Sequence, residues 1–398
     1  MKYFTANSGY PIGIGILPLI SVIESKALVI LLLYLFFINI KSIKINIKSI
    51  FYNKNKIILI LFLIVSIIIW CFCSLLWTIN FNESFSKILR LSATVFLGCG
   101  VVIGMQRINV VMSRRIINAL VYGVFIAIFT VAVRCVWILT NVDPEIDLGG
   151  FDPLSVLNPG LTLLAIFVWP VAITLVMKRQ WKSLTGLFVS YVGVLVFAGS
   201  GAAILALVAG AITVGAAMLR LKIAAYTVAA LMFVATISAP FVVPRPTANL
   251  ELTEAMSPLP NSTQHRLYIW EFVAENALKR PFFGWGFHSS RSIPHGQYRP
   301  PIGTAYMPLH PHNAPLQIWL ELGIPGAFLF AILSALVVMQ SIGVQAVKKM
   351  GVHAATLGTI VAFAAVAYTA YGLWQSWWVA AGWMTTVILL ALQRSVSE

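Results

Sequence analysis

The chain has 398 residues, 60% of them hydrophobic and 10% charged, with a formal net charge of +15. Soluble domains carry about 25% charged residues, so this composition excludes a soluble enzyme, and so much apolar surface also excludes intrinsic disorder. The excess of 27 Lys+Arg over 12 Asp+Glu would suggest nucleic acid on a soluble protein. On a membrane protein it marks the cytoplasmic side, and no nucleic-acid partner is expected.

A helix needs about 20 apolar residues to cross a bilayer. That window predicts an all-α, polytopic membrane protein with about 12 transmembrane helices, or eleven as the alternative. The candidate spans are 10–23, 27–40, 57–76, 87–104, 116–139, 159–177, 184–198, 202–219, 223–242, 314–340, 352–373 and 377–392. The first, second and seventh are short, which fits tilted, merged or re-entrant segments. The stretch from Tyr10 lacks a basic leader and a cleavage site, so it reads as a first span and not a signal peptide. The chain then divides into a membrane domain of spans one to nine at 1–242, a loop at 243–313, and spans ten to twelve at 314–398. Small residues such as Gly199-Ser200-Gly201-Ala202-Ala203 predict close helix packing in the later half.

Alternating spans place the basic clusters on one side: five lysines in 41–56, then Arg107/Arg114/Arg115, Lys178/Arg179/Lys182, Arg220/Lys222 and Lys348/Lys349. That side is cytoplasmic by the positive-inside rule. The loop at 140–158 carries Asp143, Glu145, Asp147 and Asp152 and no base, so it falls outside. The segment 243–313, just before span ten, falls on the same outer side. It holds five of the six histidines: His265, His288, His295, His310 and His312. Loops this long are usually functional or disordered. The apolar pattern from Arg266 to Val273 predicts an amphipathic helix, and hence a folded cap.

Chemistry concentrates in that loop. His312 stands just before span ten, where an imidazole of near-neutral pKa either takes a proton from a hydroxyl or caps the helix. His310 lies two residues away and Asn313 follows directly. The four cysteines sit in apolar runs, and no Cys/His spacing suits zinc, so neither a metal nor a cofactor is expected. Arg266 suits a phosphate, which guanidinium binds bidentately, and Arg291 is a further base. In the spans, Arg90 has Lys87 one turn before it, a basic face fit for an anionic lipid headgroup. Arg134 either binds substrate or snorkels. Glu321 lies about 10 Å down span ten, pairing with one of these arginines or facing the polar loop. Trp374, Trp377 and Trp378 fit an interfacial aromatic belt.

His312-Asn313, nine residues, then Gly323-Ile324-Pro325-Gly326 resembles the His-Asn-x9-Gly-x-x-Gly pattern of bacterial O-antigen ligases. The wider superfamily includes O-antigen and exopolysaccharide polymerases and protein O-oligosaccharyltransferases. Ser74-Leu75-Leu76-Trp77, the stretch from Arg266 to Trp270, and Pro281-Phe282-Phe283-Gly284-Trp285-Gly286-Phe287 are similar to it as well. The resemblance implies a metal-independent glycosyltransferase of the bacterial inner membrane, acting at the periplasmic face. Its donor is a glycan on undecaprenyl diphosphate. Its acceptor is lipid A–core for a ligase, or a growing glycan for the alternative, a polymerase; membrane lipids surround it. By the same resemblance His312 is the catalytic histidine and Arg266 engages the diphosphate. Arg90, Arg134, Arg291, His310, Asn313 and Glu321 are the further substrate-binding candidates. One departure stands out: the family often has Ser-Arg or Ser-Lys where this chain has Ser200-Gly201, so Arg90 or Arg134 is the candidate replacement. A flippase, from a different class, would need charges or broken helices across the whole membrane; here they gather on the outer side.

Overall fold

The computed structural model describes residues 9–40, 55–141, 152–248, 254–294, 310–340, 342 and 349–396. Regular structure among them is helical throughout. The helices are α1 (Gly9–Ile23), α2 (Leu28–Ile38), α3 (Asn55–Cys73), α4 (Phe81–Gly104), α5 (Val110–Asn141), α6 (Asn158–Met177), α7 (Trp181–Ala198), α8 (Gly201–Val242), α9 (Asn261–Lys279), α10 (Ala314–Gln340), α11 (Met350–Thr369) and α12 (Ser376–Ser395). Nine of the described helices, α3 to α8 and α10 to α12, are long and apolar enough to cross a membrane, as in a multi-pass membrane protein. The acidic loop residues Asp143, Glu145 and Asp147, the lysines of 41–54, His295 and Arg299 lie outside the described residues.

The count of nine differs from the twelve expected, for two physical reasons. Helices α1 and α2 are apolar but shorter than a span. The eighth and ninth spans run together as α8, which is interrupted at Arg220 by non-helical backbone (φ −146°, ψ 74°). An unbroken helix of 42 residues would be about 63 Å long, twice the hydrocarbon thickness, so the break at Arg220 makes two crossing lengths.

Local chemistry sets several other boundaries. Helix α4 starts at Phe81, six residues before its expected start, because the Asn80 side chain accepts from the Glu83 amide and caps it. Helix α7 ends at Ala198, as expected, because Gly199 after it takes a left-handed φ of +64°. Helix α11 ends at Thr369, where the expected span ran on to 373; a turn through Gly372 then leads to α12, with Gln375 N donating to Gly372 O (3.2 Å).

Helix α6 is apolar all round and the most enclosed of the spans. Helix α1 lies backbone to backbone on α5: a Cβ on Gly123 would fall 2.0 Å from Gly15 O. Helix α8 meets α11 in the same way through Gly210 and Gly358. The run at Gly199 and Gly201 makes no such contact, since neither has an atom within 4 Å of its Cβ position. Helix α9 is amphipathic; its Ile269, Val273, Ala274 and Ala277 pack on Leu316, Trp319 and Leu320 of α10 and Ala239 of α8. That packing seats the loop helix on the end of the bundle where α10 begins.

Candidate active site

Asn313 opens α10: its side-chain oxygen accepts from Leu316 N (3.0 Å) and its carbonyl from Gln317 N (2.9 Å). His312, one residue earlier, has a left-handed φ of +55°, a conformation that non-glycine residues adopt mainly where surrounding structure imposes it. Its Nδ1 bonds the Ala370 carbonyl on the α11–α12 turn. A carbonyl can only accept, so Nδ1 carries the hydrogen and Nε2 keeps its lone pair. The His310 ring meets that of His312 edge-on, with centroids 4.2 Å apart. Gln375 Nε2 donates to His310 Nε2 (2.9 Å), and Trp270 of α9 donates to the Pro311 carbonyl (3.0 Å). The turn comes so close that a Cβ on Gly372 would sit 2.6 Å from the His310 ring.

Burial and positive neighbours keep these imidazoles neutral. His312 is pushed down to about 3, first by burial, then by His310, with Arg266 and His265 adding to it against the opposing Ala370 bond. His310 falls to about 4 by burial, with Arg291 and Arg266 contributing. His288, also left-handed (φ +59°), falls to about 4 through burial, Lys87, Arg291 and His310. The near-neutral pKa expected for His312 is thereby corrected downward. Burial lowers Arg266 too, against the opposing influence of the Tyr371 phenol. Tyr371, which shares a hydrogen bond with Thr162 (3.2 Å), is pushed up to about 12 by burial.

Glu321 is fully buried and pairs with neither Arg90 nor Arg134. Its carboxylate accepts from His288 N (2.8 Å), Trp374 Nε1 (2.7 Å), Gln317 Nε2 (3.1 Å) and the Ser290 hydroxyl. Four donors nearly fill a carboxylate's accepting capacity.

The Gly323 motif, the stretch at 281–287 and the stretch after α3 form one joint. Helix α10 is broken at Gly323 (φ 63°, ψ −161°), and the loop at 281–287 takes up the freed backbone groups. Trp285 N donates to Leu320 O (2.8 Å), Gly286 N to Glu321 O (2.9 Å), and Ile324 N to Pro281 O (2.8 Å). Trp70 Nε1 of α3 donates to Leu322 O (2.9 Å). A Cβ on Gly323 would lie 2.5 Å from Phe282 O, and one on Gly284 2.6 Å from the Glu321 carbonyl carbon; hence glycine at both. The stretch after α3 holds the far end: Phe287 N donates to Ser74 Oγ (2.9 Å), and Trp77 Nε1 to Phe283 O (3.1 Å).

The structure brings Arg266, Arg291, His310 and His312 into one electrostatic neighbourhood. Lys87 joins it through His288, and Arg90, exposed one turn along α4, adjoins Lys87. Arg134 is placed differently: its guanidinium donates to the Val22 and Ile23 carbonyls at the end of α1, which is helix capping. At Gly201 no atom lies within 4 Å of the Cβ position. Sequence reasoning passed over Gln317, Ala370, Tyr371 and Gln375, and ranked Lys87 behind Arg90. Among the described residues no three of His, Cys, Asp and Glu stand close enough to share a metal ion.

Over most of its length the chain is similar to proteins named as proposed polysaccharide ligases. One, from Rickettsia felis, is 26% identical across 82% of this chain and 79% of the relative. Another, from Rickettsia conorii, is 25% identical across 82% and 78%. A third, from Rickettsia typhi, is 28% identical across 83% and 80%. Residues 186–331 match the O-antigen ligase family model, so the resemblance to O-antigen ligases spans Arg266, the loop at 281–287, His312 and the break at Gly323.

Proposed function

We propose that the protein transfers a glycan from undecaprenyl diphosphate to a sugar hydroxyl, as an O-antigen ligase acting on lipid A–core at the periplasmic face of the inner membrane. The observation that carries this reading is the neutral His312, its Nδ1 committed to Ala370 and its charged form disfavoured by Arg266, with Arg291 and Lys87 acting on the neighbouring His310 and His288. The acceptor oxygen attacks the anomeric carbon while its proton passes to His312 Nε2. The bond from that carbon to the diphosphate oxygen breaks, and the electron pair leaves on the diphosphate. The cations stabilise that developing charge, which is why no metal is needed. With one base at the site, direct displacement inverts the anomeric centre. Lys87 and Arg291 take the place of the base missing at Gly201, and Arg90 extends the cluster toward the lipid headgroup.

Twelve crossings with α9 outside suit this chemistry: α1 and α2 cross as short helices about which the bilayer thins, and α8 crosses twice about Arg220. The division at 242 and 313 then separates membrane bundle from cap. The relatives' names favour a ligase over a polymerase. A strain lacking the protein is expected to show lipid A–core free of polymer, with polymer accumulating on its lipid carrier. Surface chains of a single repeat would instead favour a polymerase. Transfer by the purified protein should persist in excess chelator, and its loss would overturn the metal-free reading.

A further inference from the structure

Glu321 is buried beneath the site, has no hydrogen bond to its histidine rings, and yet joins three of the segments that frame His312. Its donors come from three places: His288 and Ser290 in the loop that leads to Arg291, Gln317 on α10, and Trp374 on the α11–α12 turn. Gln317 repeats the link, since its Oε1 accepts from Leu373 N (2.9 Å). The turn at 370–375 is thus tied to α10 by two side chains one helical turn apart. That same turn supplies the Ala370 carbonyl to His312 and Gln375 to His310.

We propose that Glu321 is a positioning residue: through Trp374 and Gln317 it holds the Ala370 carbonyl against His312 Nδ1, and so keeps Nε2 free and aimed as the base. This rests on the reading of His312 as the base. An amide at 321 would present two hydrogens to donors that now meet oxygen, and a buried donor without an acceptor is costly to keep. The turn then moves off α10, and a shift of about 1 Å at a reacting group can cost about 100-fold in rate.

The test is steady-state transfer by full-length protein in vesicles, with a lipid-diphosphate-linked glycan as donor. Glu321→Gln is expected to lower kcat about 100-fold with donor KM little changed. The acid limb of kcat/KM should also rise toward the ordinary imidazole value, because a loosened turn admits water to a ring now buried among His310, Arg266 and His265. Trp374→Phe removes one donor only; it should show the same limb shift with a smaller kcat loss, and it serves where the glutamine variant fails to fold. Wild-type kcat in both variants would overturn the inference. So would a rise in donor KM with kcat intact, which places Glu321 at the substrate, or a loss confined to folded yield with an unmoved pH profile. The underlying reading fails separately, on full activity in His312→Ala.

Discussion

The Nδ1 of His312 is bonded to the carbonyl of Ala370, a residue 58 positions later that presents only its backbone. The bond does two things at once: it selects the tautomer, and it draws the ring beneath a turn that excludes water. An imidazole held in this way is ready to act as the proposed base without having to lose a proton first.

The pH dependence follows. General base catalysis needs neutral imidazole, and burial holds His312 near 3 in the free protein. Log kcat/KM should therefore stay flat from about pH 8 to about pH 5, without the usual histidine limb. A bound diphosphate brings negative charge to the ring and raises its pKa, so the limb in kcat should lie above that in kcat/KM. A half-maximal loss of kcat/KM near 6.5 would count against the assignment. His312→Ala should lower kcat at least 100-fold, the usual worth of a general base, and leave donor binding in place.

The same burial sets acid stability. His288, His310 and His312 are depressed to about 4, 4 and 3 from 6.5. Above pH 6.5 all three are neutral whether folded or unfolded and contribute nothing. Below it the unfolded chain binds protons that the folded protein refuses, so stability falls with pH, by up to about 4 kcal/mol per unit for three groups. Tm of the purified protein should drop steeply between pH 6 and pH 4. Replacing His288 and His310 by Gln should flatten the drop; an unchanged slope would show that other groups govern it.

Arg266 is expected to act by shape as well as charge. Arg266→Lys keeps the charge but loses the bidentate fork, and should lower kcat/KM about 10- to 100-fold, the worth of a charged hydrogen bond. Lys87→Ala and Arg291→Ala should each weaken donor binding by less, since Arg291 is exposed and water screens its charge. Steady-state transfer reads the first and isothermal titration with the lipid-linked donor the other two, and unchanged affinity in Arg291→Ala and Lys87→Ala would remove them from the diphosphate site.

Gly323→Ala tests the joint. The backbone is left-handed there and Phe282 O stands 2.5 Å from the new carbon. Strain of about 1–3 kcal/mol, before any shift of the loop at 281–287, should appear as a lower Tm and a lower folded yield. Gly201→Ala, where no atom lies within 4 Å, is the matched control and should leave both unchanged.

Sidedness is testable by labelling. In a background free of Cys71, Cys73, Cys99 and Cys135, a cysteine replacing Ser257 should react with an impermeant maleimide from outside. One replacing Lys182 should react only from inside. Reactivity of both from one face would invert or refute the topology.

The sequence made the apolar helices and the chemistry-bearing loop legible, because hydropathy and side-chain type are written in it directly. His312 and Asn313 could be read from the motif spacing. The role of Glu321 could not, since its four donors come from residues 288, 290, 317 and 374 and share no spacing. The carbonyl of Ala370 leaves no side-chain trace at all. Lys87 was visible only as a neighbour of Arg90, since its link to the histidines needs α4 placed against the loop. Arg134 shows the opposite: an arginine inside an apolar run suggests a ligand, and its bonds to the end of α1 could not be read from the chain. At Arg220 the sequence reads as the boundary between two spans, and the backbone there is non-helical within one long helix, α8.

The joint at Gly323 also bears on how the molecule is made. The carbonyls of Leu320 and Glu321 accept from Trp285 and Gly286, since Ile324 N is turned to Pro281 and Pro325 has no hydrogen to give; Leu322 O accepts from Trp70. Until the cap has folded, the Leu320 and Glu321 carbonyls lack their donors, and an acceptor left unsatisfied in lipid costs several kcal/mol. A nascent chain therefore cannot finish its helical bundle while leaving the candidate site unbuilt. Assembly and competence arrive together, and a half-formed product exposes itself to quality control as polar backbone in the bilayer.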